Sequence, residues 1–393
     1  MSRGIRFTAL TVAALLVMAP AGPASADDAY DVPDDATVTI TGDGSGHGRG
    51  MSQYGAYSAA RKGVGYGAIL KTYYPKTRWK QAKGSIEVAV TRDDDNNLVV
   101  GHHRRLTVRS LRSGRTWHAD ARRATRWRVT RKPTGVNQVA YFNGRWRAWK
   151  TVRGNVQLAA GGRPLTLFTP RGKVRYRGSL RSAVDDSGDR VTVNVLPLEQ
   201  YLRGVVPSEM RASTWPQHAL RAQAVASRTY AAWRRNRPLD RAYDICDTAL
   251  CQVYGGASAE YSTSDKAVWA TAREILTFRR KPAFTEYSAS NGGHTVSGGK
   301  PYLPAKKDPY EGTSADYYGW TVQVTSQQME AEYDYDDLAS IAIEERDGLG
   351  PRGGRVLQVR VTAESGFTDT ITGEDFRRDW GLPSTLFTIT QVR

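Results

Sequence analysis

The stretch from Leu196 to Arg234, LPLEQYLRGVVPSEMRASTWPQHALRAQAVASRTYAAWR, decides how the rest of the chain is read. Leu198, Tyr201, Leu202 and Val205 recur at helical spacing after Pro197, a favoured first-turn residue. They predict a helix from Pro197 that Pro207 stops. Ser213 or Thr214 can cap a second helix with Pro216 in its first turn, running through Ala219, Ala222, Ala226 and Tyr230 to about Trp233. Its alanines let it pack closely against a neighbour; Gln223, Ser227 and Tyr230 form one row along it, Arg221 and Arg228 another. The loop between the two helices holds one acid, Glu209. A carboxyl among the apolar side chains of VVPSEM resists ionising and can act as a general acid near neutral pH. The competing reading is a turn cap or an ion pair with Arg211.

Two further stretches carry site-like chemistry. From Gly42 to Thr77 the chain reads GDGSGHGRGMSQYGAYSAARKGVGYGAILKTYYPKT. Its glycines permit positive φ or close approach to a ligand, and helices are predicted from Ser52 to about Lys62 and from Gly67 to Tyr73. His47 is a ligand, a base or a sugar contact, or else the satisfied centre of a tight Gly-His-Gly turn. No Gly-Lys-Ser/Thr ending makes this a phosphate loop. The second stretch, SASNGGHT from Ser288 to Thr295, is a loop of small and hydroxyl residues suited to the wall of a glycan cleft, or an ordinary polar turn.

These residues resemble the SpoIID (stage II sporulation protein D) family of cell-wall proteins. The resemblance rests on YLRGVVPSEM followed by WPQHALRAQAVASRTYA, on GHGRGMSQYGA with the trailing ILKTYYP, on the Ser-x-x-Gly-Gly-His string, and on PYLPAKKDPYE. It implies a lytic transglycosylase that cleaves MurNAc–GlcNAc bonds of peptide-stripped glycan strands to 1,6-anhydro ends, with Glu209 as both acid and base. Candidates for binding substrate or orienting Glu209 are Gln223, Arg228, Ser290, Gly292, Gly293, His294, His47, Gln53 and Tyr54. GHGRGMSQYGA ordinarily ends the family's domain. Here it comes first, while GEDFRRDWGLPSTLFTITQVR, which resembles the piece preceding it, comes last. The chain therefore resembles a circular permutant, which requires positions near 42 and 390 to be neighbours. The resemblance also brings a rival reading: a wall-binding protein without catalysis that stimulates an amidase.

Composition sets the compartment. Arg3 and Arg6, an apolar run from Phe7 to Met18 and the small residues Ala24-Ser25-Ala26 predict a signal peptide over residues 1–26 and a secreted or wall-associated chain. The net charge of +17 over 393 residues points to anionic wall polymers as partners; nucleic acid fits the charge but not the export signal. Cys246 and Cys251 most simply form a disulfide in an exported chain. Zinc is the alternative, which the family resemblance raises, but no His lies inside the loop and two thiolates do not close a site. No other cofactor is expected, and Gly-x-Ser-x-Gly and His-Glu-x-x-His are both absent.

Residues 101–150 carry fourteen Lys or Arg and one acid, Asp120, with six aromatics interleaved. Alternation in SIEVAV, RRLTVRS, RWRVT and RWRAWK predicts short antiparallel strands. Two readings stay open: a basic, aromatic surface for anionic polymer or glycan, and a one-sided sheet whose Trp residues are core. The expected fold is α+β, with antiparallel strands and several helices around a cleft. Its expected parts are a permuted segment at 27–84, an inserted basic β-rich subdomain at 85–154 and the main domain at 155–393. Within the main domain WTVQVTS is read as a strand, MEAEYDYDDLASIAI as a helix, RVLQVRVTAE and FTDTITG as strands, and the end as a closing helix.

Overall fold

A computed structural model describes residues 29–311, 317–335 and 337–393; the predicted signal peptide lies outside them. The fold is α+β, with seven α-helices and mostly antiparallel sheets among the described residues. No helix among them is long and apolar enough to cross a membrane.

Two large apolar cores and a small third around Val193 organise the described residues. The larger gathers Ile69 and Tyr73 from the front helices, Leu202 and Val205 from the Glu209 helix, and Ala222 and Val225 from the Ala-rich helix. The same core takes in the inner faces of a six-stranded and a seven-stranded sheet, through residues such as Trp127, Val139, Leu158 and Leu180. The smaller of the two large cores joins the first strands to the C-terminal region, around Ile40, Ile341, Val359 and Phe387.

The strand pairing moves one expected boundary. Ser85–Ala89 pairs with Arg190–Pro197, Thr107–Ser110 with Val156–Ala159, and Asn97–Gly101 with Leu165–Thr169. Residues 85–154 therefore do not close as an inserted unit; the β-rich region runs to 197. The reason is visible in the alternation. A strand such as RWRVTR buries Trp127 and Val129 and exposes Arg126, with Arg128 and Arg131 half-buried, and that apolar face needs the strands after 154 to cover it.

The two predicted central helices form, with shifted ends. The first spans Leu198–Glu209 and continues through Pro207 to end on Glu209, so that residue is helical and not in a loop. Proline removes only its own N–H bond. Beyond it the Ser208 hydroxyl donates to the Gly204 carbonyl at 2.8 Å and the Met210 N–H to Val206 at 3.0 Å. The second helix spans Gln217–Arg235 and is capped by Pro216 with no side-chain bond, so Ser213 and Thr214 are not caps. The front helices occupy Gln53–Arg61 and Tyr66–Tyr73, the first capped by Ser52, whose Oγ accepts from the Gly55 N–H at 2.9 Å.

Toward the C-terminus, the helix expected over MEAEYDYDDLASIAI is cut short. A capping box of Thr325 and Gln328 starts Ser326–Tyr333, and Asp334 at φ 57° ends it. LASIAI then continues as the strand Leu338–Arg346, because Ile341 and Ile343, two apart, face the smaller core. The closing helix Gly373–Asp379 is followed by a strand, Phe387–Val392, which pairs with Thr37–Asp43: Thr39 lies opposite Gln391 and Gly42 opposite Phe387. The two ends of the described chain are thus neighbours, as a permuted arrangement requires.

Candidate active site

Glu209 sits where the end of its helix meets the glycine-rich front of the chain. Gly44, Gly46, Gly48 and Gly50 all have positive φ, which lets 44–52 lie closely along the segment 286–296. Ser45 bridges Ser290, Arg49 bridges Val296, and Met51 and Ser52 pair in parallel with Tyr287 and Ser288. At Gly50 a Cβ would come within 1.9 Å of the Glu286 carbonyl oxygen, so no other residue fits there. The two glycine-rich stretches form one wall, and Glu209 with the disulfide loop forms the facing one. Between them lies a cavity of about 430 Å³ lined by Glu209, His47, Gln53, Arg49, Glu286 and Ser288, among others.

The carboxyl of Glu209 is held at both oxygens. Oε1 accepts from the Val253 N–H at 2.7 Å and Oε2 from Gln53 Nε2 at 3.4 Å, and the Tyr287 hydroxyl also bonds it. Burial raises its pKa above the ordinary carboxylate value, against the opposing pull of these bonds. Tyr287 is itself positioned from behind: Gln252 Nε2 donates to its oxygen at 3.0 Å and Ser227 Oγ lies at 3.4 Å. Gln223 Nε2 donates to Ser227 at 3.0 Å, and the Tyr201 hydroxyl to Gln252 at 3.1 Å. Replacing Tyr287 by Phe removes one bond that favours the carboxylate. If activity depends on protonated Glu209, its alkaline limb should move up by about one pH unit in a pH–rate profile.

His47 faces the same cavity as a neutral ring. Burial, then Arg49 and Arg355, push its pKa down to about 4. Its Nδ1 accepts from the Arg49 N–H at 3.0 Å, so the ring proton is on Nε2 and can be donated. His47 thus closes a tight turn and lines the cavity at the same time.

The other candidates separate. Gln53 touches Glu209 directly. Gln223 is fully buried and acts three hydrogen bonds behind it, through Ser227 and Tyr287. Tyr54 packs against Trp215 and Tyr317 with ring centroids at 5.0 and 4.8 Å, and its N–H bonds the Ala289 carbonyl. Arg228 is 0% exposed; it bonds Glu199 at 3.0 and 2.7 Å and the carbonyls of Glu274 and Val268. It is enclosed in the core, away from any substrate surface. Ser290 is also fully buried, donating to Glu311 Oε1 at 2.8 Å. Gly292, Gly293 and His294 shape the wall from outside the cavity: Gly292 packs on Leu386, Gly293 bonds Asn291, and the His294 ring bonds the Thr295 carbonyl.

Sequence reasoning missed Tyr287, Gln252, the Val253 N–H, Glu286 and Ser288 as site groups. Ser288 lines the cavity from the SASNGGHT loop, while its hydroxyl oxygen is buried and has no partner. The cavity is lined by four consecutive residues of this segment, Glu286 to Ala289, so no two-residue period in the sequence marks them.

Cys246 and Cys251 are joined. Their sulfurs bond each other, and no group of three His, Cys, Asp or Glu among the described residues converges to hold a metal; these residues do not fit zinc. The disulfide closes the loop before Val253 and carries Leu250, 89% exposed, to the cavity rim. Cys246→Ser with Cys251→Ser should cost about 2 kcal/mol by loop entropy in chemical denaturation, and free the Val253 N–H from its fixed place.

A family model described as stage II sporulation protein, SpoIID, matches residues 186–278. Over that segment the chain is similar to the SpoIID family. The matched segment holds Glu209 and both cysteines, while His47, Gln53 and Ser288 join it from outside. Three curated relatives extend the likeness. The chain is 32% identical over 241 residues to an uncharacterised protein of Brachyspira hyodysenteriae (57% of this chain, 61% of the relative). It is 38% identical over 137 residues to the amidase enhancer of Bacillus subtilis (33% and 18%). It is 29% identical over 219 residues to the stage II sporulation protein D of the same organism (50% and 61%). The chain thus spans under two thirds of each of these relatives. No solved structure matches it significantly.

Proposed function

We propose that this protein is exported and acts on the cell wall as a peptidoglycan lytic transglycosylase. The observation that carries this is a desolvated, hydrogen-bonded Glu209 facing a cavity large enough for sugar residues. Protonated Glu209 donates to the oxygen between MurNAc and GlcNAc as the bond to C1 breaks. The MurNAc 6-hydroxyl attacks C1, and Glu209 takes its proton back, leaving a 1,6-anhydro end. No water is consumed and one carboxyl serves both steps. Gln53 and the Val253 N–H hold the carboxyl; His47 Nε2–H is a donor available to the sugar.

A second carboxylate lines the cavity, which matters because ordinary glycosidases use two. Glu286 is ion-paired to Arg49 at 2.9 Å, and that engagement of its carboxylate favours the one-carboxyl route. Mass spectrometry of peptide-stripped strands incubated with the protein separates the outcomes. Anhydro ends support the lyase, and reducing ends carrying solvent oxygen indicate a hydrolase.

The amidase-enhancer relative favours one other reading, in which the protein binds wall material and stimulates an amidase without cutting glycan. Unchanged glycan together with faster amidase turnover on intact wall would select it.

A further inference from the structure

The six-stranded sheet has an outer face that the Glu209 site does not use. Its strands, in order, are Trp146–Arg153, Val136–Phe142, Arg126–Arg131, Asn97–Gly101, Leu165–Thr169 and Gly172–Tyr176. The third carries three arginines, the first two arginines and a lysine, the last a lysine and an arginine. None of the six carries an Asp or Glu.

Register places a stepped row of side chains across the whole sheet, shifting by two residues from Arg126 to Arg128 on the third strand. Trp146 lies opposite Phe142, Phe142 opposite Arg126, Arg128 opposite Val99, Val99 opposite Phe168, and Phe168 opposite Lys173. Residues opposite one another share a face, and five inter-strand steps make the row about 24 Å long. The inward alternates Trp127, Val129 and Leu167 are core, so the row points away from it.

Along this row cations stack on rings. The Arg126 guanidinium lies 5.6 Å from the Phe142 centroid and 4.8 Å from that of Phe168; Arg128 lies 4.3 Å from Trp146 and Lys173 5.2 Å from Phe168. No carboxylate pairs with any of these three cations among the described residues. Arg128 Nε is buried without a partner. A merely solvated face needs charge but not three partly buried rings. The rings hold both guanidinium groups in place, and no carboxylate among the described residues engages their terminal N–H groups, which suits contact to phosphate, and the rings offer faces to sugar or polyol between the charges.

We propose that this face binds a phosphodiester-linked polyol or sugar polymer laid across the strands, independently of the Glu209 cavity. The full chain should be retained on immobilised poly(glycerol phosphate), and released as salt rises. Arg126→Glu with Arg128→Glu should weaken retention by tenfold or more. Trp146→Ala with Phe168→Ala should weaken it by about tenfold, because the rings that hold Arg126, Arg128 and Lys173 in place are lost. Arg104→Ser with Arg122→Ser removes two charges from exposed turns off the row, and should change retention less than twofold. Near-ultraviolet dichroism and melting check that each variant is folded. Equal weakening by the off-row pair would reduce the effect to net charge and overturn the proposal. So would tighter binding of single-stranded DNA or anionic vesicles, or no binding of poly(glycerol phosphate) by the folded wild type.

Discussion

Glu209→Gln should lower the rate of glycan-strand cleavage by about 10³-fold while leaving the fold intact, the loss typical of a general acid–base group. The amide keeps the oxygen that accepts the Val253 N–H but can neither give nor regain a proton. Stability gives an independent sign. Burial raises the Glu209 pKa, so the stability it contributes is present below its unfolded value and lost as pH rises through the raised one. Glutamine has no such loss, so at neutral pH the variant should melt at or above the wild-type temperature. Full turnover of peptide-stripped strands by Glu209→Gln would end the acid–base assignment. Loss of both activity and melting temperature would recast Glu209 as structural.

Arg228→Ala should instead unfold the protein before it touches catalysis. The guanidinium ties the Ala-rich helix to Glu199, to Val268 at the end of Ser262–Ala270, and to Glu274 at the start of the strand beside it. Truncation leaves the Glu199 carboxylate, 17% exposed, with the Arg273 N–H at 2.9 Å, and removes a donor from the carbonyls of Val268 and Glu274. Removing one partner of a buried pair costs about 3–5 kcal/mol, a fall in Tm on the order of 10 °C. The KM of the folded fraction should not move. A raised KM at unchanged Tm would return Arg228 to the substrate surface.

The difference between these two residues shows where sequence reading reaches and where it stops. Glu209 was legible because its neighbours in the chain are apolar, and those same neighbours desolvate it in the fold. Arg228 was misplaced because a row of polar residues on one helix looks like a binding face. The Ala-rich helix is enclosed instead, packed against both front helices, the Glu209 helix, Ser262–Ala270 and Glu274–Phe278. Such a helix has no solvent side, and its polar groups must find partners inside. The same limit applies at 288–295. Ser290 and Ser288 are the same residue type two positions apart, and only the pairing with Met51–Ser52 decides that the second lines the cavity. At 85–154 the alternation correctly announced strands, but it could not say which later strands would cover them.

The amino-acid sequence by itself determined the acid, the two helices around it, the glycine-rich partner stretch, the cysteine pair and the α+β class, because each rests on local spacing or local burial. Only the tertiary structure decided that Tyr287, Gln252 and the Val253 N–H hold the carboxyl, that Glu286 is engaged by Arg49, and that the basic strands share a core with those that follow. Those outcomes depend on contacts between residues tens to hundreds of positions apart, where the gain from burying a face or pairing a charge is settled by what the rest of the chain brings against it.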